Sequence, residues 1–144
     1  MPKAWLSSAA VKLREQVNAA FPDRDKTSDG WLGDLRHAAR VSNHNPDVAT
    51  GCVRAIDIDR DFTGKGGKPD LMPDFADQLR LYARNDKSRR ISYIIFNGKI
   101  ASPKRSWAWR NYTGINQHNH HCHISFNKTA DHDGRPFDIP MLGA

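Results

Sequence analysis

The sequence predicts an α+β domain: a small, mainly antiparallel sheet with helices packed on one face and a polar site at its open side. Three observations predict it. Ala55-Ile56-Asp57-Ile58-Asp59 and His121-Cys122-His123-Ile124-Ser125-Phe126 read as strands, because residues of different character alternate at the two-residue period of a pleated chain. Asn97-Gly98, set between the apolar run Ile91–Phe96 and Lys99-Ile100-Ala101, is a strong signal for a type I′ hairpin. Two further segments carry apolar residues at helical spacing.

Taken in chain order, Ser7 or Ser8 caps a first helix that runs through Val11, Leu13, Val17 and Ala20 and ends near Phe21-Pro22. Residues 21–33 form a polar loop containing Asp29-Gly30, and residues 35–40 a short helix that delivers the chain to Ser42. After the strand at 55–59 comes the basic loop Gly64-Lys65-Gly66-Gly67-Lys68. It lacks the Gly-Lys-Ser/Thr ending of a phosphate-binding loop, which excludes a nucleotide site of that kind. Pro73-Asp74 starts a second helix whose Phe75, Leu79 and Tyr82 face the core. Trp107, Trp109 and Tyr112 follow the hairpin as core aromatics, with Trp109 and Tyr112 also candidates to line a substrate site. Residues 131–144 read as an irregular C-terminal tail.

Length and composition set the bounds. The 144 residues suit one domain, 1–144, with a single core. There is no apolar run long enough for a membrane span and no secretory leader, so no membrane insertion is expected. A net charge of +6 favours a polyanionic partner, either wall polymers or nucleic acid. Two cysteines exclude a disulfide framework of the small secreted kind. Cys122 alternates away from its histidine neighbours and reads as a core thiol, while Cys52 opens the strand that leads to Asp57.

The chemistry concentrates in His118-Asn119-His120-His121-Cys122-His123, four imidazoles in six residues. Alternation puts His121 and His123 on one face, where they can share a metal or supply one ligand and one proton carrier. Upstream lie Ser42-Asn43-His44 and the strand with Asp57 and Asp59. Zinc accepts histidine nitrogen and aspartate oxygen, with three protein ligands plus water in a catalytic site. His44, one of the two aspartates and His123 make such a set, and alternation alone does not choose between Asp57 and Asp59.

Ser42-x-His44, Ala55-x-Asp57 and His121-x-His123, in that order, resemble the Ser-x-His…Ala-x-Asp…His-x-His pattern of the zinc D-Ala-D-Ala carboxypeptidase and L-alanyl-D-glutamate peptidase superfamily. His118-x-x-His121-x-His123 is similar to its penicillin-insensitive murein endopeptidase branch and to peptidase domains of phage endolysins. The resemblance spans about residues 40–126 and implies the hedgehog/DD-peptidase-like form of the fold. It implies one zinc per chain on His44, Asp57 and His123, which favours Asp57 over Asp59. It places the base at His121, with His118 as a further active-site histidine; metal-site chemistry then lets His118 orient His121 through a hydrogen bond. Arg40, for an oxyanion or a substrate carboxylate, and Ser42 join Trp109 and Tyr112 as substrate-binding candidates. Two departures stand out: the stretch from His44 to Asp57 is longer than in the carboxypeptidases, and His120 replaces an often acidic residue, leaving histidine as the base.

The activity so implied is hydrolysis of an amide bond in peptidoglycan stem or cross-link peptides by metal-activated water. Such a protein would be a monomer made in a host cytoplasm, acting on the wall after release, with no nucleic-acid partner. The alternatives are a metal-dependent His-Asn-His nuclease, built on His118-Asn119-His120 and basic charge, and a non-catalytic wall-binding module of the same fold.

Overall fold

In the computed structural model, residues 2–32 and 42–143 are described; among them two α-helices and a five-stranded sheet carry the fold. The elements are β1 (Trp5–Leu6), α1 (Ser8–Ala20), β2 (Cys52–Val53), β3 (Ala55–Asp59), α2 (Met72–Asn85), β4 (Ile91–Phe96), β5 (Lys99–Ala101), β6 (Arg110–Asn111) and β7 (His121–Phe126). The sheet has the order β3-β7-β4-β5-β6 with every pair antiparallel, while β1 and β2 make a separate parallel ribbon. The expected α+β class and antiparallel sheet are therefore present. The short helix expected at 35–40, and Arg40 with it, lie outside the described residues.

Alternation along β7 divides the molecule. Cys122, Ile124 and Phe126 point to one face and join Ile56 and Ile58 of β3 and Ile94 of β4 in the core. Ala9, Ala10, Leu13 and Val17 of α1 and Met72, Phe75, Ala76 and Leu79 of α2 complete that core. Each fully buried Leu, Ile, Val, Met or Phe side chain among these contributes about 1.5–3 kcal/mol relative to exposure. The opposite face of the same strands carries Asp57, Asp59, His121, His123 and Ser125.

The local signals explain the elements. α2 begins with Pro73 in its first turn and Asp74 beside the free N–H groups, and ends with Arg84 in its last turn. Ser7 occupies the N-cap position of α1, but its hydroxyl donates to the Ala130 carbonyl at 3.2 Å and accepts no helix N–H. The β4–β5 turn has Asn97 at φ 54° and Gly98 at φ 75°, as a type I′ turn needs. A side chain at Gly98 would also meet Gln117 Oε1 at 2.8 Å. This turn grips the segment before β7: Gly98 N–H donates to Gln117 and Asn97 N–H to His118.

The basic 64–68 stretch is a loop wrapped around Asp61, whose carboxylate accepts the N–H groups of Thr63, Gly64 and Gly66. The C-terminal segment is irregular, as expected, apart from a 3₁₀ turn at Pro140–Leu142. It is nonetheless part of the core, with Phe137 and Ile139 fully buried. Gln16 exchanges two hydrogen bonds with the Phe137 backbone, and the Arg90 guanidinium stacks 3.8 Å from the Phe137 ring centre. Among the described residues no helix is long and apolar enough to cross a membrane.

Candidate metal centre

The β3–β7 register sets Asp57 directly opposite His123, with Asp57 Oδ1 3.2 Å from His123 Nδ1. His44 arrives from the 42–51 loop, its Nε2 3.3 Å from Asp57 Oδ2 and 3.1 Å from His123 Nδ1. The donor atoms of His44, Asp57 and His123 lie within 4.8 Å of one another, so this set can hold a metal ion. The outer ring nitrogens are already engaged: His44 Nδ1 donates to the Trp31 carbonyl at 2.8 Å, and His123 Nε2 meets Ser125 Oγ at 2.8 Å. Protons kept on those two atoms would leave both inner nitrogens available as metal ligands, whereas without a metal the inner nitrogens can donate to the carboxylate. Ligating histidines are oriented by such outer hydrogen bonds.

The electrostatics couple the cluster's members to one another and do not treat the two histidines alike. Burial opposes ionisation of Asp57, but hydrogen bonds and charge from His123 and His44 hold its carboxyl well below the usual range. Burial alone would lower His44, yet the Asp57 carboxylate and the Trp31 carbonyl leave it raised. Burial lowers His123 despite Asp57, and burial with the neighbouring His123 and His121 pushes His118 down to about 4. His118 and His123 are thus shifted toward the neutral form, the state that binds metal, whereas the Asp57 carboxylate shifts His44 toward the charged one.

The remaining predicted residues divide. His121 shares the face of His123, with its Nε2 3.7 Å from Asp57 Oδ1. His118 packs edge-on against His121 at 5.0 Å between ring centres. The orienting hydrogen bond expected between them is replaced by this ring contact, because His118 Nδ1 and His121 Nε2 are both buried without a partner. Tyr112 lies edge-on to His118 at 5.9 Å and so borders the cluster. Trp109 does not: its indole N–H donates to Asp77 of α2, and its ring lies near Arg80. Ser42 Oγ accepts the His44 N–H at 3.2 Å, shaping the ligand loop.

Asp59 separates from Asp57 by its partners, accepting the N–H groups of Ser28 and Asp61. Both thiols are free and buried; Cys122 faces the core, and Cys52 sits in the β1–β2 ribbon. His120 is exposed, and β7 is followed by a 3₁₀ turn at Lys128–Ala130 where a nuclease ββα motif would have an α-helix.

Sequence reasoning missed the supports. Ser125, two residues beyond His123, shares its face by the same alternation and so was detectable. Tyr93 stacks on the His123 ring at 5.5 Å. The Arg54 guanidinium forks onto both Asp131 oxygens at 2.7 Å and reaches Asp47 at 2.8 Å. It thereby ties the loop carrying His44 to the C-terminal segment. Comparison with protein-family models, curated proteins and solved structures returns no match for this chain.

Proposed function

We propose that this chain is a zinc-dependent peptidase that hydrolyses stem or cross-link peptides of peptidoglycan, in the manner of a phage endolysin or its catalytic domain acting on the wall after release. One observation carries the reading: histidines 79 residues apart, from the Ser-x-His and His-x-His motifs, converge on the aspartate of Ala-x-Asp. The 3.1 Å between the His44 and His123 nitrogens suits zinc, whose ~2.0–2.1 Å bonds in a tetrahedron put neighbouring ligand atoms about 3.3 Å apart, and each nitrogen has one Asp57 oxygen beside it, at 3.3 Å and 3.2 Å. The hedgehog/DD-peptidase-like form of the fold is part of the same proposal.

Zinc, when bound, polarises a scissile carbonyl and acidifies a water molecule. His121, half-buried beside Asp57 with an unpartnered Nε2, takes the proton and returns it to the leaving amine nitrogen. His118 fixes the plane of His121 by its edge-on contact. Ser125 and the Trp31 carbonyl hold the two ligand rings in their binding tautomers. The chain's +6 charge suits a wall bearing acidic polymers.

The test is incubation with purified peptidoglycan, which should release new amino groups without new reducing sugars. His121→Ala should keep the metal while losing about 10²–10⁴-fold in rate, the usual contribution of an acid–base group. Plasmid DNA cut in a His123-dependent manner, with wall peptides left intact, would overturn the proposal.

A further inference from the structure

We infer a second, weaker zinc subsite beside the first, formed by Asp57, His118 and His121, whose filling switches the centre off. Donor atoms of these three residues lie within 4.8 Å of one another, just as those of His44, Asp57 and His123 do. The two sets share only Asp57, whose Oδ2 lies 3.3 Å from His44, while its Oδ1 lies between the two sets, 3.2 Å from His123 and 3.7 Å from His121. One carboxylate can therefore bridge two ions. His118 Nδ1 and His121 Nε2 are both buried and have no hydrogen-bond partner, an arrangement that costs stability until something satisfies them. Two imidazoles and a carboxylate suit zinc better than harder cations.

The His118 ring is also preset. Its backbone holds φ 56°, a left-handed conformation unusual for a side-chain-bearing residue, and the hairpin turn bonds to this residue and the one before it. The side chains of Asp57 and His121 are 18% and 17% exposed, so an ion can enter from solvent.

Two dications about 4 Å apart repel enough, even at the dielectric of water, to make the second bind about 10³-fold more weakly than the first. An occupied second subsite takes the lone pair of His121, which then cannot accept a proton. This inhibition rests on the peptidase reading; the two-ion stoichiometry does not.

The experiment measures bound zinc per chain by elemental analysis over a range of buffered free zinc, in parallel with release of wall peptides. The full chain should hold one zinc, then a second at about 10³-fold higher free zinc, with release falling over the second step. His118→Asn, chosen because asparagine tolerates the left-handed backbone, and His121→Gln should each lose the second step and keep the first. His120→Ala, which alters the exposed neighbour, should keep both. Saturation of the full chain at one zinc overturns the subsite, as does a second step that survives His118→Asn or disappears in His120→Ala. Release that is indifferent to the second zinc overturns the switch. Two zinc ions with no peptide release at any concentration would sink the peptidase reading and leave the subsite standing.

Discussion

Arg54→Met removes a guanidinium that joins two distant parts of the chain while keeping the aliphatic stem. The lost contacts are a fork of two 2.7 Å hydrogen bonds to Asp131 and one of 2.8 Å to Asp47. The Asp131 side chain is 8% exposed, so its charge remains in a poorly solvated place when its partner goes. Breaking a buried pair costs about 3–5 kcal/mol. Because the Arg54 side chain is itself 16% exposed and partly screened, the low end applies, about 3 kcal/mol for the Asp131 pair alone. For a domain of this size that corresponds to a fall of about 10 °C in Tm. Urea unfolding should show a lower midpoint at unchanged slope, the sign of lost stability without a change in the surface exposed. Arg54→Lys should not restore it, since one ammonium cannot fork onto a carboxylate and also reach Asp47. Metal affinity should drop as well, because Asp47 anchors the loop that presents His44. A loss below about 1 kcal/mol would refute the assignment of a buried, paired charge.

Further outcomes follow from the same contacts. His44→Ala should abolish stoichiometric metal by elemental analysis, whereas Asp59→Ala should keep the metal and lower the melting temperature by freeing the Ser28 and Asp61 amides; metal lost only with Asp59 would reverse the ligand assignment. Ser125→Ala should weaken metal binding about 10–100-fold in a chelator competition, the usual effect of removing a ligand's outer partner, and unchanged affinity would make the Ser125 contact incidental. In acid, hydrogen bonds from Arg135 hold Asp133 down to about 2, and those from Arg54 hold Asp47 down to about 2. Depressed folded-state values give stability that is complete above the ordinary carboxylate value and lost as pH falls through the folded one. The urea midpoint should therefore decline between about pH 4 and pH 2, and a flat midpoint there would contradict both ion pairs.

The sequence made β3 and β7 legible because a period of two assigns every side chain to a face without knowledge of the partner strand. That put His121 with His123, and Asp57 with Asp59, on one face of their own strands but left the two aspartates equivalent. They differ only through tertiary partners: Asp57 stands opposite His123 in mid-strand, whereas Asp59 turns to the Ser28 and Asp61 amides. The Trp31 carbonyl that fixes His44 is a backbone atom and leaves no trace in residue type. Arg54 and Asp131 are 77 residues apart, with no periodic pattern to link them. The C-terminal segment looked like a tail because its anchoring runs through Gln16 and Arg90 side chains to irregular backbone, which has no sequence period to read.

β7 is the last strand in the chain and the second in the sheet, and among the described residues no ladder joins β3 to β4 directly. A ribosome delivers β3, with Asp57, well before β4 and its hairpin, yet neither half of the sheet can meet the other until residues 121–126 have emerged. During synthesis, at about 5–20 residues per second, the early strands must wait with open edges for their central partner. That same strand brings His121 and His123. Assembly of the candidate metal centre and closure of the sheet are thus one event in time, and any chain stopped short of β7 lacks both the seam and the His121–His123 face.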